Sequence, residues 1–331
     1  MRSAGAPAAN GRNAESLRAV LDDVLAPHLG AATRVAAVTS TPSRFAHRAA
    51  AEILTVELDQ GGTLRLFRKG LGREPGDHPD KARRDREPMV YSELLSRADL
   101  DTPHFYGSHW DARTGRHDLF LEYVDAWSLK YHDLDQWATA VRRLAVLHAS
   151  FAQQGGALPR HDFLLRLDGS YIGAWAARAV ATAREASAAL GRRLERVVAD
   201  HREIAELLTS QPLTLVHNDL APKNAIADVS SSPARICFVD WEMAGVGCGL
   251  LDLAHLMHGL SPRDEERLRS AYCSELGGTG LVPSGRRLRR VLDACALHNA
   301  VYRVAHAPQW GIPRGSVARW IDELAELRSA I

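Results

Sequence analysis

Lysine is almost missing from this chain. Only Lys69, Lys81, Lys130 and Lys223 occur among 331 residues, while the other 37 basic residues are arginines. With lysine so scarce, each one that remains deserves inspection. None follows a glycine or precedes Ser or Thr, which excludes a Walker A phosphate loop. Cysteine is scarce too: Cys237, Cys248, Cys273 and Cys295 form no C-x-x-C pair, so neither a zinc site nor a disulfide framework is indicated. Low cysteine use is expected of a protein in a reducing cytoplasm. No apolar run is long enough for a membrane-spanning helix, and Met1–Arg12 lacks the apolar core of a signal peptide. An excess of charge is missing as well. The formal net charge of +1 gives no general attraction to nucleic acid or to an anionic membrane.

What is present is an ordinary globular composition over a length that suits two lobes. Residues 1–12, rich in Ala, Gly and Pro, read as a disordered leader. From Asn13, expected as an N-cap, Leu17, Val20, Leu21, Val24 and Leu25 recur at helical spacing up to Gly30. Strand patterns follow at Arg34–Ser40, Ile53–Leu58 and Thr63–Lys69. Asp59-Gln60-Gly61-Gly62 supplies a hairpin turn between the last two. Gly70–Asp80 reads as a loop, Glu87–Arg97 as a helix with Pro88 in its first turn, and Leu119–Val124 as a strand.

The remainder is mainly helical. Leu134–Ala152 places Leu134, Trp137, Val141, Leu144, Ala145, His148 and Phe151 on one face. Helical patterns recur at Tyr171–Leu190, Arg193–Leu208, Leu250–Leu260, Arg263–Leu276, Arg286–His306 and Ser316–Ile331. Short strands are expected at Leu213–Val216, Ala225–Ala227 and Ile236–Asp240. The fold class is therefore α+β. A small, strand-rich N-lobe at 13–124 precedes a larger, mainly helical C-lobe at 125–331.

The chemistry concentrates in the strand-and-loop insert of the second lobe. It reads Leu-Val-His217-Asn218-Asp219-Leu-Ala-Pro-Lys223-Asn224, and 16 residues later a strand reaches Asp240-Trp241-Glu242. Carboxylates at strand ends beside a polar loop are expensive to bury unless they meet a cation or partner groups. Asn and Asp oxygens suit Mg²⁺, a hard cation. Glu242, two residues beyond Asp240, is expected on the same strand face. Gly245-Val-Gly247-Cys-Gly249 imitates a dinucleotide-binding turn, but its third glycine falls one residue early and no βαβ unit surrounds it, so it is read as a loop.

H-x-D-x-x-x-x-N followed by D-W-E resembles the aminoglycoside phosphotransferase and choline kinase-like enzymes, a branch of the protein-kinase-like fold. The loop spacing also matches the protein-kinase catalytic loop. Leu66-Phe-Arg-Lys69 resembles that family's lysine-bearing strand, Arg86-Glu87-Pro-Met-Val-Tyr91 its glutamate-bearing helix, and Leu119-Phe-Leu-Glu122-Tyr-Val its strand into the hinge. The segment Asp252-Leu-Ala254 resembles the D-L-A that follows the glycine-containing stretch. The resemblance implies a bilobal kinase-like fold and transfer of the γ-phosphate of ATP to the hydroxyl of a small molecule. The acceptor would be an antibiotic, a secondary metabolite, a sugar or an amino-alcohol.

In that reading Asp219 orients and deprotonates the acceptor hydroxyl, and His217 braces the loop. Asn224 and Asp240 hold Mg²⁺, and Lys69, paired with Glu87, meets the phosphates. Backbone groups at Glu122, Tyr123 and Val124 would contact adenine, Thr39–Arg48 would cover the phosphates, and Asp252 would brace the loop. The 39–48 segment contains no glycine, which motivates a competing reading as a catalytically weak nucleotide-binding module. A metal hydrolase built on His217, Asp219, Asp240 and Glu242 is a third reading. Asp125, Asp133 and Asp135 are candidates for an acidic acceptor pocket, and Trp127, Trp137 and Trp175 for an apolar one. No nucleic-acid or membrane partner is expected.

Overall fold

A computed structural model describes residues 8–43, 50–72, 79–98, 100–154 and 156–330. The chain divides into two compact units, Met1–Asp125 and Ala126–Ile331.

The first unit begins with helix α1, Ala8–Leu29. It starts five residues before the expected cap at Asn13, so residues 8–12 form helical turns instead of a leader. Residues 8 and 9 are both alanine, the strongest helix former, which favours the longer helix. Residues 1–7 lie outside the described residues. Gly30, at φ 93°, closes the helix by donating its N–H to the Ala26 carbonyl at 3.0 Å.

Five strands form one sheet in the order β1-β2-β3-β5-β4. They are β1 Val35–Pro42, β2 Ala50–Leu58, β3 Thr63–Leu71, β4 Phe105–Asp111 and β5 Arg116–Glu122. Every pairing is antiparallel. The β2–β3 turn falls on Gly61 and Gly62, at φ 88° and 98°, a conformation that glycine adopts without steric cost. Leu21 and Leu25 of α1 pack on Leu54, Val56, Leu66 and Phe120 of the sheet, and each is buried. Full burial of one such side chain contributes roughly 1.5–3 kcal/mol.

Between β3 and β4 lies a helical segment, with α2 at Arg86–Met89. The turn then widens over Val90–Leu94 and tightens over Leu95–Arg97. Pro88 sits in the first turn, where its missing N–H costs nothing. The expected loop Gly70–Asp80 is shorter at both ends, because β3 runs to Leu71 and a tight turn covers Pro79–Lys81. Residues 73–78 lie outside the described residues. Of the expected phosphate-covering segment Thr39–Arg48, residues 39–42 belong to β1 and 44–49 lie outside the described residues.

The second unit opens with β6, Trp127–Ser128, then α3, Leu134–Ala152, which starts and ends at the expected residues. Asp133 caps α3 by accepting the N–H groups of Asp135 and Gln136. Then come β7 Leu165–Arg166, α4 Gly169–Ala186, α5 Ala188–Val197 and α6 His201–Thr209. The two helices expected across 171–208 are thus three. Ser187 is extended, at φ −166°, and its hydroxyl accepts the Leu190 N–H at 3.1 Å, so it ends α4 and caps α5.

Two small sheets carry the chemistry-bearing segment. One, in the order β10-β9-β6, contains β9 Ala225–Asp228 and β10 Arg235–Phe238. The other, in the order β7-β11-β8, contains β8 Leu213–Val216 and β11 Gly245–Cys248. Strand β11 corrects the reading of Gly245–Gly249 as a loop: Gly245–Cys248 is a buried strand paired with β8 and β7. Glycine is there for close packing, since a Cβ on Gly247 would lie 2.8 Å from Leu167 Cβ. Helices α7 Leu250–Met257, α8 Pro262–Glu275, α9 Gly285–His306 and α10 Arg314–Ala330 complete the unit. Among the described residues, no helix is long and apolar enough to cross a membrane.

Candidate active site

In the first unit, Lys69 lies near the end of β3, and Glu87 in the first turn of α2. Lys69 Nζ donates to Glu87 Oε2 at 2.7 Å. Their side chains are 11% and 2% exposed, so the pair is buried. Out of water the attraction between the two charges is stronger, and it offsets part of the cost of desolvating them. The backbone of Lys69 lies opposite Leu119 of β5 and Ala51 of β2, so β3 is laddered on both sides at this residue. The start of the lysine stem is therefore fixed by the sheet, and its ammonium by Glu87.

The end of β5 holds the three residues expected to face adenine. The Glu122 N–H donates to the His104 carbonyl at 2.8 Å, and the Tyr123 N–H to the Arg65 carbonyl at 3.1 Å. Both are committed to holding the strand end. Val124 is buried and lies just beyond the sheet register. The Glu122 carboxylate accepts the His104 N–H at 3.0 Å. Tyr123 lies under the Arg65 guanidinium, 4.5 Å from ring centroid to Cζ.

In the second unit, β8 delivers the chain to His217, which is completely buried. Its Nε2 donates to the Val239 carbonyl at 2.9 Å, and its Nδ1 accepts the Asp219 N–H at 3.3 Å. These two bonds assign the neutral Nε2–H tautomer. With both ring nitrogens engaged by backbone and the ring 4.6 Å from Trp241, His217 braces the loop.

Asp252 of α7 holds the same loop from the other side. One carboxylate oxygen accepts the His217 N–H at 2.7 Å and the other accepts the Asn218 N–H at 2.8 Å. Asp252 stands in the first turn of α7 and not at its cap, which is Gly249. His148 of α3 approaches Asp252 at 3.4 Å through Nε2 and meets Tyr272 Oη at 2.7 Å through Nδ1. Burial pushes the Asp252 carboxyl up. The His148 hydrogen bond, the neighbouring imidazoles and the His217 N–H outweigh it and leave the group below the usual carboxylate range. A buried aspartate that accepts two backbone N–H groups is a rigid clamp, and it determines where Asp219 is presented.

Asn224 and Asp240 are brought together by the β9–β10 hairpin. Ala225 of β9 pairs with Phe238 of β10, and the ladder continues one step as the Val239 N–H donates to the Asn224 carbonyl at 2.9 Å. Asn224 Nδ2 donates to the Asp219 carbonyl at 2.8 Å. This bond commits the amide nitrogen and leaves Oδ1 as the amide acceptor. Asp240 follows Val239 in the left-handed conformation, at φ 72° and ψ 57°. Strand β10 ends at Phe238, and a tight turn covers Trp241–Met243. Two expectations are corrected here: no strand ends on Asp240, and Asp240 and Glu242 share no strand face. The left-handed turn redirects the chain at this point, which a strand pattern does not reveal.

A profile of the phosphotransferase enzyme family matches residues 109–292, more than half of the chain. The chain belongs to the phosphotransferase enzyme family. The matched span contains His217, Asp219, Asn224, Asp240 and Asp252, and begins after Lys69 and Glu87. Solved structures show the kinase-like fold. A choline kinase from Cryptosporidium parvum Iowa II superposes with a TM-score of 0.57 at 14% identity, covering 95% of this chain and 92% of that one. An ethanolamine kinase from Plasmodium vivax gives 0.59 at 12% identity, with 95% and 88% covered. The macrolide 2'-phosphotransferase MphH from Brachybacterium faecium gives 0.56 at 18% identity, with 92% and 98% covered. No curated protein sequence matches the chain significantly.

Within this phosphotransferase-family chain, each of the three candidate aspartates for an acidic pocket has a partner. Asp125 pairs with Arg65 at 2.6 Å, Asp133 caps α3, and Asp135 pairs with Arg267 at 2.5 Å. Trp137 and Trp175 belong to the core, whereas Trp127 is 52% exposed and stands edge-to-face with Tyr131. Lys223 is exposed, next to Asn224. No motif points to Tyr171, whose hydroxyl accepts from Asn218 Nδ2 at 2.8 Å. Nor does any signal reveal the stacked, buried pair His201 and His298, because residues 97 positions apart carry no shared pattern.

Proposed function

We propose that this chain transfers the γ-phosphate of ATP to a hydroxyl of a small molecule. The observation that carries the reading is the clamped loop. Asp252 fixes His217 and Asn218, His217 and Asn224 fix the two ends of the Asp219 peptide, and the hairpin holds Asn224 beside Asp240. Phosphoryl transfer requires mainly positioning and charge neutralisation, and a rigid loop that bears one carboxylate provides the first. Asp219 would accept a hydrogen bond from the acceptor hydroxyl and then take its proton as the oxygen attacks phosphorus.

The donor set fits Mg²⁺. One amide oxygen and one carboxylate, Asn224 Oδ1 and Asp240, are the few protein ligands that this ion takes when phosphates supply others. Among the described residues, no cluster of three or more His, Cys, Asp or Glu side chains is arranged to hold a metal ion by itself. Mg²⁺ would neutralise phosphate charge at that position. Lys69, held by Glu87, would contact the α- and β-phosphates. At the end of β5, Val124 is the best placed for a backbone contact to adenine, because the N–H groups of Glu122 and Tyr123 are already used.

The acceptor is best read as a hydroxylated metabolite or antibiotic without strong positive charge. The three aspartates that could attract a polycation are paired or serve as a cap, and the net charge of the chain is only +1. The similar solved structures include a macrolide 2'-phosphotransferase alongside amino-alcohol kinases. The test is an ATP-consumption screen over hydroxylated metabolites and antibiotics. Asp219→Ala should lower turnover of the identified acceptor by about 10²–10⁴-fold. Intact turnover in Asp219→Ala would overturn the mechanism. A thermal shift with Mg-ATP but no turnover across the panel would favour the nucleotide-binding module instead.

A further inference from the structure

We propose that Tyr171 is a positioning residue for the catalytic loop, acting through Asn218; the proposal rests on the phosphotransfer reading of Asp219. Asn218 is one of two described non-glycine residues with positive φ, at 63°. Asparagine tolerates this conformation better than most residues, but glycine would adopt it without cost. A strained residue persists where its surroundings over-determine it. Two bonds do so here. The Asn218 N–H donates to Asp252 Oδ1 at 2.8 Å, and the side-chain Nδ2 donates to Tyr171 Oη at 2.8 Å.

A glycine at 218 could keep the first bond but never the second. The side chain therefore adds one thing that glycine cannot, a tether from the loop to α4. Tyr171 is a firm anchor for that tether. It lies in the first turn of α4, where its N–H donates to the capping carboxylate of Asp168 at 3.0 Å. Its ring meets Trp175 edge-on at 6.1 Å and His298 at 6.5 Å, between centroids. Trp175 and His298 are both buried, so the phenol is held from two sides.

The tether acts at the residue immediately before Asp219. The Asp219 N–H donates to His217 Nδ1, and at 3.3 Å this bond is longer than those that hold residues 217 and 218. The orientation of the Asp219 peptide thus depends on how firmly Asn218 is held. Releasing the Asn218 side chain would let the peptide between 218 and 219 rock while Asp252 still holds the backbone of 217 and 218. That motion would misplace the Asp219 carboxylate relative to an acceptor hydroxyl. It would leave Lys69 in place, and the Asn224 backbone would stay held by the Val239 N–H, so nucleotide affinity should change little.

The experiment compares Tyr171→Phe, Asn218→Gly and the double variant in the full chain. Phe keeps the ring packing, Gly keeps the backbone conformation, and each removes the tether. With Mg-ATP and either water or the identified acceptor, each single variant should lower kcat by about 10-fold with KM for ATP within about 2-fold, a size consistent with a sub-ångström misplacement. The double variant should be no slower than the single ones, because both remove the same bond. Hydrogen exchange should quicken at the Asp219 amide in all three variants, without acceleration at Leu215, His217 or residue 218, whose N–H groups keep their partners. Unchanged kcat and unchanged exchange in Tyr171→Phe would overturn the proposal, as would additive losses in the double variant. If the wild type consumes no Mg-ATP, the phosphotransfer reading fails, while the exchange measurement still decides whether Tyr171 holds the loop.

Discussion

Lys69 and Glu87 form a buried ion pair, 2.7 Å from Nζ to Oε2, that joins the end of β3 to the first turn of α2. Neither charge reaches bulk water freely. Removing one partner of a buried pair typically costs about 3–5 kcal/mol.

Glu87→Ala should therefore destabilise the fold by roughly 3 kcal/mol or more, read as a lower urea midpoint with an unchanged m-value. Lys69→Met removes the ammonium but keeps a long apolar stem. It should raise KM for ATP at least about 10-fold, the loss of one charge-assisted phosphate contact. Wild-type KM in Lys69→Met would refute a phosphate role for this lysine.

A second prediction concerns Asp252. Asn at this position offers one carbonyl oxygen where the carboxylate offers two, so one of the N–H groups of His217 and Asn218 would face an amide N–H₂. Asp252→Asn should cost about 2–4 kcal/mol, from a lost charge-assisted bond and a buried N–H left unsatisfied. Turnover should fall as well, since Asp219 is presented by the same loop. The carboxyl is depressed in the folded state, so its contribution is present above the ordinary carboxylate range and is lost only as pH falls through its lower folded value. Denaturation curves from about pH 7 to about pH 3 on both proteins test this: the difference in stability should persist through about pH 5.

Much of this is legible in the sequence because it depends on local pattern. The hairpin at Gly61-Gly62, the span of α3 and the run from His217 to Asn224 each follow from adjacent or periodic residues. The family resemblance pairs Lys69 with Glu87 from their motifs alone. Three kinds of feature are not legible. Ser187 ends one helix and begins another through a single side-chain bond, which periodicity does not register. Asp240 leaves the strand through a left-handed turn that its sequence does not announce. Tyr171 meets Asn218 across 47 residues, and no spacing rule links an aromatic residue in one helix to an amide in a loop. The glycines of the β11 segment are visible in the sequence but suggest a loop, because their reason is the bulk of Leu165, Leu167 and His148 against them.

That close packing leads to a third prediction. A Cβ on Gly249 would lie 2.8 Å from His148 Nδ1 and 3.0 Å from Thr214 Cγ2. The backbone at Gly249, at φ −61°, accepts any residue, so the effect of Gly249→Ala would be steric alone. The added methyl should displace His148 from Tyr272 and Asp252, costing about 1–3 kcal/mol as overpacking. Gly169→Ala is the control, because a Cβ there meets nothing within 4 Å. Equal unfolding midpoints for the two variants would show that the end of β11 has room to spare.

The last prediction concerns the stacked imidazoles of His201 and His298, 6.4 Å apart between centroids. Both are buried, and neither ring has a hydrogen-bond partner for either nitrogen among the described residues. Burial and the nearby Arg328 guanidinium push His201 down to about 4. Burial and the neighbouring His201 push His298 down to about 3. In the unfolded chain both would titrate near the ordinary value of about 6.5. Between those values the unfolded state binds more protons than the folded state, so stability must rise with pH across this window. Above about pH 7 both states are neutral at these sites, and the dependence vanishes. Lowering the pH from about 7 to about 4.5 should therefore lower the unfolding free energy, with these two residues contributing up to two protons to the slope. His298→Phe, which fills the site without a titratable group, should reduce the slope by about one proton and should not lower stability at about pH 5. Urea denaturation at several pH values for wild type and variant measures the slope directly, and an unchanged slope would show that His298 is charged inside the fold.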